Sequence, residues 1–142
     1  MAVWLVSNCV TPGKRENYAL ELGKHVAVDV YGSCGSNKCP KSASALCYRD
    51  FSKQYFFYLS FENSICKDYV TEKLFKALRY DIIPVVFGGG NYSVVAPPGS
   101  YIDALSFSSP KHLADHMKKV SSNFSLYAKY FAWKRTHKCD DK

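Results

Sequence analysis

Two cations, Arg15 and Lys73, carry the clearest chemical potential in the sequence, because each falls near the start of an expected helix. Asp68 is of the type that caps a helix amino terminus, so Lys73 stands about one turn inside a start whose free N–H groups and dipole favour an anion. A diphosphate set there would meet both the helix end and the ammonium. Arg15 shares a helical stripe with Tyr18, Ala19 and Leu22, where a charge is out of place unless its head reaches a cleft at the strand ends. An arginine fork complements phosphate oxygens with two parallel hydrogen bonds. The competing readings are a surface-running stem with its head in water for Arg15, and an ion pair with Glu72 or a neighbour for Lys73. Glu62 adjoins the same region. It is placed either as a proton acceptor or, the reading we favour, as a carboxylate that holds a turn by accepting backbone N–H bonds.

The cysteines and sequons speak of the compartment. Six cysteines are many for a chain of 142 residues, and Cys34, Cys39, Cys47 and Cys66 crowd into one stretch. Zinc is the rival account, but no second tight Cys or Cys/His pair joins Cys34 and Cys39. We therefore expect at least one disulfide among the four. Two triplets, Asn91-Tyr92-Ser93 and Asn123-Phe124-Ser125, have the form of N-glycan acceptors and point to the same oxidising compartment. No apolar run approaches the ~20 residues of a membrane helix, and no signal peptide is visible.

These residues need a scaffold, and the apolar pattern supplies one. Short buried runs at 3–6, 26–31, 55–61, 82–87 and 101–104 read as strands, and they alternate with helical patterns at 15–23, 69–80, 110–120 and 124–134. Residues 32–53, rich in glycine, serine and cysteine, read as a long loop pinned by a disulfide. On the helix at 69–80, Val70, Leu74, Ala77 and Leu78 fall on one side and Tyr69, Glu72, Lys73 and Lys76 on the other. The order implies a Rossmann-like three-layer α/β/α sandwich with a parallel sheet, formed by residues 1–142 as a single domain. In such sheets ligands bind beyond the carboxyl ends of the strands. That directs attention to the turn from Ser7 to Arg15, to Tyr31-Gly32, and to Phe61-Glu62-Asn63-Ser64 leading into residues 68–73.

Nineteen Lys and Arg against twelve Asp and Glu give a net charge of +7, which favours a polyanionic ligand without choosing among nucleic acid, an anionic membrane or a diphosphate. The basic residues are scattered, with pairs such as Lys118-Lys119 and Lys134-Arg135 but no long run. Nucleic-acid binding would set aromatics among a basic stripe. Here Tyr55, Phe56, Phe57, Tyr58 and Phe61 sit together in a strand and read as core, so no nucleic-acid partner is expected.

The segments Phe57-Tyr58-Leu59-Ser60-Phe61-Glu62-Asn63-Ser64 and Lys67-Asp68-Tyr69-Val70-Thr71-Glu72-Lys73 closely resemble the signature of the α1,3/4-fucosyltransferases, glycosyltransferase family 10. The resemblance runs through Val3-Trp4-Leu5-Val6-Ser7-Asn8-Cys9 with Arg15, Val28-Asp29-Val30-Tyr31-Gly32 and Ile83-Pro84-Val85-Val86 to Ala96-Pro97-Pro98-Gly99-Ser100-Tyr101-Ile102, and covers the chain to about residue 134. The cysteine-rich loop and residues 96–102 look more like invertebrate members.

The resemblance implies one half of a GT-B enzyme, the carboxyl-terminal domain that holds GDP-fucose. The amino-terminal acceptor domain and a type II single-pass anchor in the Golgi membrane, with the enzyme on the lumenal side, would lie outside this sequence. It further implies that Arg15 and Lys73 clamp the diphosphate and that Asn63, Tyr69 and Glu72 contact the ribose or fucose. Ser7, Asn8 and Tyr31 join the donor site by their strand-end positions, and Arg15, Glu72 and Lys73 are the catalytic candidates. The implied reaction is inverting transfer of L-fucose from GDP-fucose to a GlcNAc hydroxyl of a glycoprotein glycan, with GDP as the other ligand. Its general base is expected in the other domain. No cofactor is required by this reading, and no Asp-X-Asp motif marks a divalent metal site. A non-catalytic nucleotide-sugar-binding module is the alternative. Residues 135–142 depart from the family, which continues to a cysteine cluster where this chain has Cys139 alone; that leaves the pairing of Cys139 open.

Overall fold

The computed structural model describes residues 1–5, 15–31, 44–61, 78, 80–87 and 96–135. Five strands, β1 (Ala2–Leu5), β2 (Val28–Tyr31), β3 (Phe57–Phe61), β4 (Ile83–Phe87) and β5 (Ile102–Asp103), form one sheet in the order β2-β1-β3-β4-β5. Every pairing is parallel. Parallel strands require covered faces, and β3 and β4 are accordingly buried at every position. Their alternation feeds two cores. Trp4, Phe57, Leu59, Phe61, Val85 and Phe87 point to one face, whereas Val3 and Tyr58 point to the other.

The first face is covered by α1 (Arg15–Leu22) and α3 (Pro110–Ser121), with α4 (Phe124–Lys129) beside α3. On α1, Arg15, Ala19 and Leu22 are buried, the stripe that the i, i+4, i+7 spacing predicts. On α3 the buried set is Leu113, Ala114, Met117 and Val120, and the helix opens with Ser109 as its cap, whose hydroxyl accepts from the His112 N–H, and with Pro110 at the first turn. Two short 3₁₀ turns, Ala104–Ser106 and Ala132–Arg135, complete the described chain. Pro84 is tolerated inside β4 for a directional reason. The Ile83 N–H donates to Phe56 O at 3.1 Å, so the next N–H position faces β5, whose pairing begins only opposite Val85.

The expected long loop over residues 32–53 is corrected in its second part. Ser44–Gln54 is a helix, α2. Cys47 and Phe51, four residues apart, pack with Val3, Tyr58 and Ile82 on the second face, and no Gly or Pro interrupts residues 41–54. A sheet buried on both sides needed this cover. Strand starts also shift: Val26 is buried in the turn ahead of β2, and Tyr55 and Phe56 precede β3, Phe56 being 41% exposed rather than core. The last expected helix breaks into α4 and a 3₁₀ turn. There Lys134 binds Asp81 at 2.8 Å and the Tyr80 carbonyl at 3.2 Å, tying the carboxyl-terminal end to the turn before β4. Of the helix expected over residues 69–80, only Leu78 and Tyr80 lie among the described residues; Leu78 is buried against Val86, Ala96 and Trp133. No helix among the described residues is long and apolar enough to cross a membrane.

Candidate functional site

In the order β2-β1-β3-β4-β5 the connections leave β1 and β3 in opposite directions, so a crevice opens between the carboxyl ends of these two strands. Arg15 occupies it. The residue begins α1, just after β1, and its Nη1 donates to the carbonyl of Phe61, the last residue of β3, at 3.1 Å. Its guanidinium carbon lies 5.6 Å from the centre of the Trp4 ring. Arg15 is fully buried. That excludes the surface-running stem with its head in water, and it also makes Arg15 part of the framework, because a guanidinium that is charged at every accessible pH is held here against two strands.

Beneath Arg15 the ends of β1, β3 and β4 supply a cluster of rings. Phe61 lies 6.0 Å from Trp4, 5.8 Å from Tyr18 and 5.2 Å from Phe87, and Tyr18 stacks on Phe87 at 4.7 Å. The Tyr18 hydroxyl reaches the Ala104 carbonyl at 3.5 Å, which brings the end of β5 into the group. The sequence puts Tyr18 on the Arg15 stripe and Trp4 in β1 but assigns neither these two nor Phe87 a place at the site. The signal was available for Tyr18, which follows Arg15 by three residues on the same helical stripe.

Burial, and then the Asp103 carboxylate, push the Tyr18 hydroxyl up to about 12. Because the folded value lies above the ordinary unfolded value of ~10, neutral Tyr18 contributes stability in full below pH ~10, and that stability is lost as pH rises from ~10 toward 12. Tyr55, Tyr101, Tyr127 and Tyr130 are raised as well, with burial the leading cause in each, so the whole protein should weaken across this window. Tyr18→Phe should make the decline shallower, as read from urea midpoints at pH 9 and pH 11. Equal slopes for the two proteins would contradict a buried, neutral Tyr18.

Tyr31 ends β2, but its ring packs 4.9 Å from Phe51 on the second face, and the structure does not bring its side chain to Arg15. Burial and the neighbouring Asp29 and Tyr31 raise Tyr55, whose hydroxyl donates to Asp29 Oδ2 at 2.5 Å, so Tyr31 belongs to an edge network there. Ser7, Asn8, Glu62, Asn63, Tyr69, Glu72 and Lys73 lie outside the described residues, as do Asn91, Cys34, Cys39, Cys66 and Cys139. Asn123 is exposed and caps α4, its Oδ1 accepting from the Leu126 N–H at 3.3 Å. Cys47 is half-buried on α2. Among the described residues no three His, Cys, Asp or Glu side chains gather as metal ligands would.

The fold has close counterparts. A solved α1,3-fucosyltransferase with GDP-fucose superposes with a TM-score of 0.77 at 24% identity over 93% of this chain and 38% of that one. Alpha-(1,3)-fucosyltransferase C of Drosophila melanogaster is 50% identical over 136 residues, 96% of this chain and 32% of that protein. GDP-fucose protein O-fucosyltransferase 3 of Xenopus laevis is 40% identical over 139 residues, 92% of this chain and 30% of that protein. The chain thus spans about a third of the length of the curated relatives it matches. The profile of glycosyltransferase family 10 (fucosyltransferase), C-term, matches residues 1–142, and the chain belongs to that family of fucosyltransferases.

Proposed function

We propose that the chain binds GDP-fucose as the donor half of an inverting α1,3-fucosyltransferase. The observation that carries this reading is the placement of Arg15, a permanent cation set in the crevice between β1 and β3 where sheets of this order take their ligands. In this reading Arg15 and Lys73 clamp the diphosphate, Asn63, Tyr69 and Glu72 contact the ribose or fucose, and Ser7 and Asn8 join the donor site. As the sugar–phosphate bond breaks, positive charge grows on the fucose ring and negative charge on the departing GDP. Arg15 and Lys73 would stabilise that leaving charge; Arg15, held beforehand by its bond to the Phe61 carbonyl, needs no reorganisation in the transition state. The acceptor hydroxyl must lose a proton, and its base comes from an amino-terminal domain that also presents GlcNAc. Glu62 is the local rival for that role.

The same reading places the protein on the lumenal side of the Golgi membrane, with Asn91 and Asn123 as glycan acceptors. Cys47 is disulfide-bonded, and in this reading its partner is one of Cys34, Cys39 and Cys66. The relative named as a protein O-fucosyltransferase favours a second reading of the acceptor, a hydroxyl of a folded polypeptide in place of a GlcNAc. Fucosyl transfer by the complete enzyme to a GlcNAc-bearing glycopeptide or to an unglycosylated domain separates the two.

Calorimetric titration of the chain with GDP-fucose, GDP and UDP is the direct test. GDP and GDP-fucose should bind with similar affinity and UDP more weakly, while fucose transfer to a GlcNAc acceptor by the chain alone should be absent, because proximity of donor and acceptor supplies much of the rate. Indifference between GDP and UDP would remove guanine recognition from the assignment, and turnover by the chain alone would make Glu62 the leading base.

A further inference from the structure

Away from the Arg15 crevice, a hollow of about 390 Å³ opens between α3, α4 and the turn that leads into β5. Its position in the sheet is fixed by register. Ile102 pairs with Val85, so Tyr101 lies at the level of the amino-terminal part of β4, at the end of the sheet opposite the crevice. The turn beneath it is built by Ser100, whose N–H and hydroxyl both reach the Pro97 carbonyl, at 3.2 and 2.6 Å. Gly99 takes a φ of +75°, a conformation that side chains resist, and the place where its Cβ would stand is open space.

The wall of this hollow combines cationic and aromatic groups with the aliphatic side chains of Val120 and Leu126. Lys119 projects from α3 and Lys129 from α4, both are exposed, and neither is paired with a carboxylate among the described residues. His116 Nε2 and the Tyr130 hydroxyl are 2.9 Å apart, a part-buried pair that joins the two helices. Tyr101 completes the wall. Burial and the charge of Lys119 hold the His116 imidazole below its ordinary value, so it stands neutral at pH 7 and leaves the two ammonium groups as the local charge. Small-molecule sites have this size and make-up, a concave surface of a few hundred Å³ with aromatic walls and a small number of convergent polar groups.

We propose that this hollow binds a monosaccharide-sized ring that carries a phosphate or sulfate. Two ammonium groups on facing helices match a compact dianion, for which lysine acts as a point charge. The hydroxyls of Tyr101 and Tyr130 and the imidazole of His116 offer both donors and acceptors to ring hydroxyls, a match that an inorganic anion alone would leave unused. The concavity holds a single ring rather than a helix or strand, which sets a small ligand above a protein partner.

Titration of the chain with glucose 6-phosphate, glucose and inorganic phosphate tests the assignment. Glucose 6-phosphate should bind saturably and at least tenfold more tightly than either of the others. The double variant Lys119→Gln, Lys129→Gln should lose that binding at least tenfold, and Tyr130→Phe severalfold, with thermal midpoints close to wild type and GDP affinity unchanged. No saturable binding of glucose 6-phosphate would overturn the proposal, as would inorganic phosphate binding equally well or a double variant that binds like wild type. Because GDP affinity is read in the same variants, failure here is distinguishable from failure of the donor-site assignment.

Discussion

Arg15→Ala is expected to damage both stability and donor binding, and the separation of this variant from Lys73→Ala is its diagnostic value. Arg15 is fully buried, its Nη1 bonds to the last carbonyl of β3, and its guanidinium lies against Trp4. Truncation would open a cavity between the two central elements of the crevice and leave the Phe61 carbonyl without that donor, a loss of about 2–4 kcal/mol in unfolding free energy. GDP affinity should fall by about 1.5–3 kcal/mol, the range for a charge-assisted hydrogen bond. Lys73→Ala should show the binding loss without the stability loss, if Lys73 meets the diphosphate from a helix start. Lys118→Ala, on the exposed side of α3, should change neither beyond a small screened effect. Arg15→Lys retains the charge but not the planar fork, so it should restore part of the affinity and little of the stability. Urea unfolding and calorimetry on the same preparations decide the matter. Wild-type stability of Arg15→Ala would contradict its burial, and wild-type GDP affinity would place the diphosphate elsewhere.

The contrast between these two cations also shows what the sequence made legible. The stripe of Arg15, Tyr18, Ala19 and Leu22 was readable because helical spacing is a local property, and the buried runs of β3 and β4 were readable because a parallel sheet demands apolar residues on both faces. What Arg15 touches was not. Its bond to Phe61 spans forty-six residues, and no spacing rule reports a contact made by the winding of one βαβ unit against the next. The helix α2 was hidden for a different reason. It follows the glycine-, serine- and cysteine-bearing residues 32–43, which draw the whole segment into one loop reading, and the spacing of Cys47 and Phe51 takes its meaning from the uncovered second face of the sheet. Tyr31 illustrates the limit of arguing from strand ends. The end of β2 does lie on the ligand side of the sheet, but the alternation of side chains sends the ring toward Phe51. The hollow with His116 and Tyr130 escaped the sequence reading altogether, because its groups come from three separate elements whose meeting is tertiary.

Phe61→Ala should be the most destabilising single truncation at the crevice, at about 3–5 kcal/mol. The ring is fully buried among Trp4, Tyr18 and Phe87, so its removal takes away one member of three ring pairs at once, and the surrounding central strands are too constrained to collapse into the space. Phe61→Leu keeps most of the volume and should cost less than about 1.5 kcal/mol. The informative quantity is the coupling to Arg15. The Phe61 carbonyl that accepts from Arg15 survives both substitutions, but its position depends on the packing of the ring, so Arg15→Ala and Phe61→Ala should be non-additive by about 0.5–3 kcal/mol. Lys118→Ala combined with Phe61→Ala, which share no contact, should add within about 0.5 kcal/mol. A double-mutant cycle from urea unfolding measures both. Strict additivity for Arg15 and Phe61 would mean that the guanidinium is held independently of the aromatic cluster, and the crevice would then be a surface laid over the core rather than an extension of it. Coupling in the expected range would tie donor affinity to core packing, so that Phe61→Leu, which leaves every polar group of the site in place, should also weaken GDP binding by displacing Arg15.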